Sequence, residues 1–265
     1  MKTNSTRWIA IMGMLALLQG CATQLSIGSG DEDAQAALVL RFQSNSIVPA
    51  VTVETEFLEP GDILLSSEPT VMSVGIRLMT LAPVSHAAVY VGDSQIVDAM
   101  RWGVRVRELN DLLEEAAVVL VLRYPELSAE QAAVIREYSV NKSGAGFNFL
   151  GITLHVPFSV ARRVCELPLV PAVIRDACIR SFGVVHRLAA SESRLFCSQL
   201  VLQAYRHAGV LVTHADPRLI SPADILHMRE DDVSSVDIVT PLRYVGHLKS
   251  GRPATALASV NAAGQ

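Results

Sequence analysis

From Glu59 onward the chain alternates short apolar runs with turn signals. Pro60-Gly61 is a turn, and DILLSS, HAAVYVG, QIVDAM and GVRVREL follow with the period-2 alternation or continuous apolar character of strands. A helical stretch is predicted between the first two, at about Val71 to Leu81. Asn110 is a plausible N-cap for a short helix DLLEEA, and VVLVLRY reads as a buried strand. Ser128 with Gln131 fits a capping box opening the helix AEQAAVIREYSV. In SESRLFCSQLVLQAYRHAGV, Leu195, Gln199, Leu202, Tyr205 and Ala208 recur at helical spacing, Cys197 lies in the first turn and Gly209 closes the helix. SPADILHM opens a further short helix with Ser221 as N-cap and Pro222 at its first position, and RYVGHL reads as a last strand. These elements predict an α+β domain over residues 56–250, an antiparallel sheet packed against helices.

Three segments fall outside this pattern. Residues 141–190 carry SGAGFNFLG, LPLVPAV and several arginines without a dominant period, which reads as a helical insertion or lid. Residues 251–265 are alanine-rich with no core face and read as a disordered tail. Residues 21–55 begin with the Ser/Gly/Asp-rich SIGSGDEDAQ and read as a tether with one short helix around Ala34 to Phe42.

The N-terminus changes the picture of where the domain works. Lys2 and Arg7 precede the apolar run WIAIMGMLALLQ, which ends at Gly20-Cys21. The run is short of the roughly 20 residues needed to span a bilayer, so residues 1–20 read as an export signal. Leu18-Gln19-Gly20-Cys21 is similar to a bacterial lipobox, which implies cleavage before Cys21 and lipid attachment to its sulfur; an ordinary cleaved signal is the alternative. Ala22 in place of an aspartate implies, by the same likeness, passage to the outer membrane, facing the periplasm. Export removes Lys2 and Arg7 from 22 basic residues set against 26 acidic ones, leaving a body of net charge −6. That balance and the absence of a basic face exclude a nucleic-acid binder; half of the chain being hydrophobic excludes wholesale disorder.

The chemistry narrows by elimination. H-E-x-x-H, G-x-S-x-G and G-x-x-x-x-G-K are absent, no C-x-x-C pair exists, and none of the seven histidines forms a clear metal pair, so no metal or organic cofactor is expected. What remains is Cys197 on the first turn of a helix, where unpaired N–H groups and the positive dipole end favour a thiolate. A disulfide or a buried apolar thiol are its other readings. A base should be a histidine on rigid structure, and His86 at the start of a strand is the best placed, although a core or surface histidine fits that position too. If HAAVYVG and QIVDAM form a hairpin around Gly92-Asp93-Ser94, Asp98 falls near His86 with an offset of about two positions. A carboxylate there would orient the imidazole; a solvated strand residue is its bland reading. His155, His186, His207, His214, His227 and His247 receive no role, and Met72, Met79 and Phe147 are read as core or pocket wall.

LEPGDILLSS, VMSVGIRLMT, SHAAVYVGDSQIVDAM with GVRV after it, FCSQLVLQAYRHAGV and SPADILHM together resemble the YaeF/YiiX group of permuted papain-like cysteine hydrolases, relatives of NlpC-type cell-wall peptidases. The likeness runs in consistent order through most of residues 57–250. It implies a circularly permuted papain-like fold with Cys197 as nucleophile, His86 as base and Asp98 as the acidic residue, where many relatives carry glutamate. The order His, acid, Cys is the reverse of ordinary papain-like enzymes, as permutation requires.

The expected reaction is hydrolysis of an amide or peptide bond through a thioester, with peptidoglycan peptides as first-choice substrate. An acyl-lipid hydrolase or acyltransferase is the competing enzyme reading, and a non-catalytic envelope scaffold the third. Cys165 and Cys178 stand thirteen positions apart, and an oxidising periplasm would allow them to bridge; two buried thiols are the alternative. Arg162, Arg163, Arg175 and Arg180 nearby read as a solvated face or as contacts to an anionic partner. The oligomeric state is open.

Overall fold

The computed structural model describes residues 23–27, 38–42, 51–68, 71–80, 82–148 and 194–250. At its centre six strands form one sheet: β3 (Ile63–Ser67), β4 (His86–Gly92), β5 (Gln95–Met100), β6 (Gly103–Glu108), β7 (Val118–Arg123) and β10 (Arg243–Lys249). Their spatial order is β10-β7-β3-β4-β5-β6, and every neighbouring pair is antiparallel. The predicted strands and the α+β class are therefore those observed.

Alternation sorts the strand residues onto two faces, and both are covered. Ile63, Leu65, Ala87, Val89, Val97 and Leu120 pack into a cluster with Leu200, Val201 and Tyr205 of α4 (Cys197–His207). Leu64, Ala88, Tyr90, Ile96 and Val121 pack on the other face against Leu109 and Leu112 of α2 (Leu109–Glu115). This is why β4 is buried at all seven positions: a strand covered on both faces has no solvated side to leave polar. Helix α4 is itself a core helix, with Cys197 through Leu202, Ala204 and Tyr205 all buried. Truncating a side chain such as Leu200 there should cost about 2–5 kcal/mol.

The other helices are α1 (Val71–Thr80), α3 (Ala129–Asn141) and α5 (Pro222–Leu226). The expected capping box forms, with Ser128 Oγ accepting from the Gln131 N–H at 3.2 Å, and Ser221 caps α5 as expected, its Oγ accepting from the Asp224 N–H at 3.1 Å in a second capping box that the sequence reading had not named. Gly209 follows α4 in the left-handed region at φ 71°, as a C-terminal glycine should. Beyond α3 the chain forms β8 (Gly146–Phe147), which pairs in parallel with β9 (Arg194–Leu195) just ahead of α4. Gly146–Phe147 falls inside the segment read as an insertion, and its partner strand lies just after that segment.

Two expectations need correction. Leu38–Phe42 is not helical: it is a strand, β2, paired antiparallel with β1 (Thr23–Ile27) in the register Thr23↔Phe42 to Ile27↔Leu38. A Leu/Val/Phe run can serve either state, and a partner strand decides it. Asn110 is not the cap of α2, because the helix begins at Leu109 and Glu108 occupies the N-cap without a side-chain bond. Cys21, Cys165, Cys178, the four arginines of the insertion, His155, His186 and the tail lie outside the described residues, as do the side chains of Met72 and Met79.

Candidate active site

The hairpin β4–β5 sets the first two groups. It turns through Asp93 and Ser94, both with positive φ (53° and 57°), which matches the tight turn whose twist suits a hairpin. The ladder then pairs Ala88 with Asp98 and shifts once between Tyr90 and Gly92. His86 lies two positions from Ala88 on the same face, so it meets Asp98 diagonally. His86 Nε2 stands 3.2 Å from Asp98 Oδ2, with both side chains buried.

The third group arrives on α4. Phe196 holds the N-cap and offers no side-chain acceptor, so Cys197 starts the helix with the N–H groups of its first turn uncapped. Ser198 Oγ donates to the Ile220 carbonyl at 2.6 Å and ties this turn to the segment before α5. Cys197 is a free, buried thiol that lines the same cavity as His86 and acts on its titration. With Nε2 given to Asp98, Nδ1 is the ring nitrogen left for the sulfur. The expected trio therefore converges from a strand end, a neighbouring strand and a helix N-terminus. Of the other described histidines, none lines the pocket at Cys197.

Electrostatics favour a charged pair. Burial alone would depress the His86 pKa, but the hydrogen bonds to Asp98 and Cys197 and the attraction of both anions outweigh it, and the imidazole is pushed up to about 10. Burial would raise the Asp98 carboxyl; the His86 hydrogen bond and charge, with Arg107 and Arg105 behind them, hold it below the usual carboxylate range.

Those two arginines were not singled out from the sequence. Arg105 is directly opposite Asp98 across β5–β6, with Nε 3.3 Å from Oδ1, and Arg107 Nη1 lies 3.5 Å from Oδ2. Arg107 in turn bonds Glu115 of α2 at 2.6 Å. The signal was available: counting back from the Arg101-Trp102 turn pairs Met100 with Gly103 and hence Asp98 with Arg105. Gly103 permits this turn, having φ 106° and a position where a Cβ would come within 2.5 Å of the Ala145 carbonyl oxygen.

A cavity of about 430 Å³ opens onto Cys197 and His86. Ile76, Met100, Trp102 and Phe147 form apolar wall; Glu68, Ser73, Ser85, Arg101, Arg105 and Glu115 supply polar groups. Phe147 is thus the pocket wall expected of it. Among the described residues no group of three or more His, Cys, Asp or Glu could hold a metal ion, and no helix is long and apolar enough to cross a membrane.

A thiol beside an imidazole that a carboxylate orients can attack a carbonyl and pass its proton to a leaving group. A buried site of that class, opening into one cavity, is what the fold assembles. No family model matches the chain. It is 36% identical over 197 residues to the probable lipoprotein peptidase YaeF of Escherichia coli (strain K12), spanning 73% of this chain and 72% of that one. The chain belongs to the YaeF family. Among solved structures, metalloprotein yiiX from Escherichia coli O157:H7 aligns with a TM-score of 0.42 at 16% identity, over 71% of this chain and 96% of that one.

Proposed function

We propose that this chain is a cell-envelope cysteine hydrolase of the permuted papain-like type that cleaves an amide or peptide bond, with peptidoglycan peptides as its substrate class. The observation that carries the reading is the 3.2 Å His86–Asp98 pair beside the free, buried thiol of Cys197, with His86 and Cys197 lining one cavity. A relative named a probable lipoprotein peptidase supports the same direction.

The Cys197 thiolate attacks the substrate carbonyl while the imidazolium of His86 stands ready to protonate the leaving amine. N–H groups of the uncapped first turn of α4 receive the developing oxyanion. The amine departs with the His86 proton, leaving a thioester on Cys197. His86, now neutral, takes a proton from water, hydroxide adds to the thioester, and the acid leaves as the thiolate and imidazolium are restored. Asp98 holds the ring in place and stabilises its positive charge, and Arg105 and Arg107 keep Asp98 ionised.

Pure Cys197→Ala protein should fold normally and lose turnover of peptidoglycan-derived peptides; hydrolysis at the wild-type rate would dispose of this mechanism. The apolar wall of Ile76, Met100, Trp102 and Phe147 favours, as a second reading, hydrolysis or transfer of a lipid acyl group. The same chemistry would serve it, and product analysis of peptide against acyl-lipid substrates separates the two. A purely structural scaffold would leave Cys197 unreactive toward both. The chain works in this reading at the periplasmic face of the outer membrane, held by lipid on Cys21. Cys165 and Cys178 bridge in the insertion, which a free-thiol count before and after reduction tests.

A further inference from the structure

The cavity holds two carboxylates, and only one is accounted for. Glu115 is paired with Arg107. Glu68, one residue past the end of β3, is 8% exposed and lines the cavity alongside Cys197 and His86. Its Oε1 is buried and has no hydrogen-bond partner, and among the described residues no ion pair reaches the carboxylate. A buried carboxylate oxygen without a donor is costly, and a ligand entering the cavity can supply that donor.

Its neighbours are suited to one kind of ligand. The Glu68 N–H donates to Ser73 Oγ at 3.2 Å, and Ser73 Oγ lies 2.5 Å from Ser85 Oγ, on the residue before His86. Both hydroxyls also line the cavity. A carboxylate and two hydroxyls lining one cavity offer the acceptors that the several N–H donors of an ammonium need. The lining also carries the opposite charge, in Arg101, stacked 4.6 Å over the ring of Trp102, and Arg105. A cavity lined by both a carboxylate and guanidinium groups fits a zwitterionic peptide better than a neutral acyl chain.

We propose that Glu68, with Ser73 and Ser85, forms a subsite for a free ammonium group of the substrate, either a peptide α-amine or the side-chain amine of a diamino acid. This rests on the reading of Cys197 as the reacting group of a hydrolase, and it selects the peptide over the lipid as substrate. Glu68 binds substrate and takes no part in bond cleavage.

The test uses the tripeptide L-alanyl-γ-D-glutamyl-L-lysine in three forms: both amines free, the α-amine acetylated, or the ε-amine acetylated. Binding to the full-length Cys197→Ala protein is measured by calorimetry, so turnover is not needed. Acetylating one of the two amines should weaken binding by about tenfold or more, and the form that suffers identifies the amine. Adding Glu68→Gln should erase that difference. Equal binding of the three forms, binding of none, or a difference that survives Glu68→Gln would each overturn the subsite. Glu68→Gln should leave the thermal midpoint unchanged or raise it, because an amide of the same shape costs no more to bury than a carboxylate; a fall would assign Glu68 a structural role instead. Wild-type protein run in parallel keeps the two readings apart. Acetylation-sensitive binding without cleavage would sink the hydrolase and spare the subsite, whereas equal cleavage of all three forms would do the reverse.

Discussion

Asp98 is fully buried and surrounded by three cations or potential cations, His86, Arg105 and Arg107. Asp98→Asn retains the shape and one acceptor oxygen but removes the charge that sustains the imidazolium. Turnover should fall by ~10²–10⁴-fold, a loss that kcat measured at saturating substrate would register. The same pair makes stability depend on pH with a definite sign. His86 titrates near 6.5 in the unfolded chain and is raised to about 10 in the folded one. Its stabilising contribution is therefore complete below about 6.5, declines as pH rises, and is gone once pH passes about 10. Urea unfolding between pH 6 and pH 10.5 should show that decline in the wild type and a shallower one in Asp98→Asn; parallel curves would mean that the pairing does not hold the proton.

At the scale of elements, much was legible because it depends on neighbours in sequence. The β4–β5 hairpin followed from counting outward from Gly92-Asp93-Ser94, the capping box of α3 from Ser-x-x-Gln, and the start of α5 from Ser221 followed by Pro222. What escaped depends on partners far along the chain. Leu38–Phe42 became a strand because Thr23–Ile27 pairs with it, and Glu68 meets Cys197 only after β3, α1 and α4 close around one cavity. The setting of α4 is of the same non-local kind. Its first turn, lacking a cap from Phe196, is anchored instead by Ser198 Oγ on the Ile220 carbonyl, 22 residues away. Ser198→Ala strands a buried carbonyl, so urea unfolding should show a loss of about 1–3 kcal/mol. An unchanged midpoint and slope would show that the anchor contributes nothing to holding Cys197 in place.

For the molecule as a whole, charge and anchor divide the work. With residues 1–20 removed, as the proposed export requires, the chain carries 26 acidic residues against 20 basic ones, so a membrane rich in anionic lipid repels it. Nothing in the described domain compensates: Trp102 is 76% exposed, but it sits beside Arg101 at the cavity rim, and no described helix can span a bilayer. In the proposed envelope location, attachment is assigned to lipid at Cys21. Lipid anchoring is hydrophobic and insensitive to salt, whereas attachment through basic patches weakens as salt screens it. Wild-type protein should stay with membranes washed at 1 M salt and leave them in detergent. Cys21→Ser, expressed at the same level, should appear in the soluble periplasmic fraction while keeping its peptide hydrolysis, since Cys197, His86 and Asp98 all lie within the six-stranded domain and its core helix. Salt-released wild type would place the attachment on a partner's charge instead, and a Cys21→Ser protein that stayed in the membrane would remove the lipid from the account altogether.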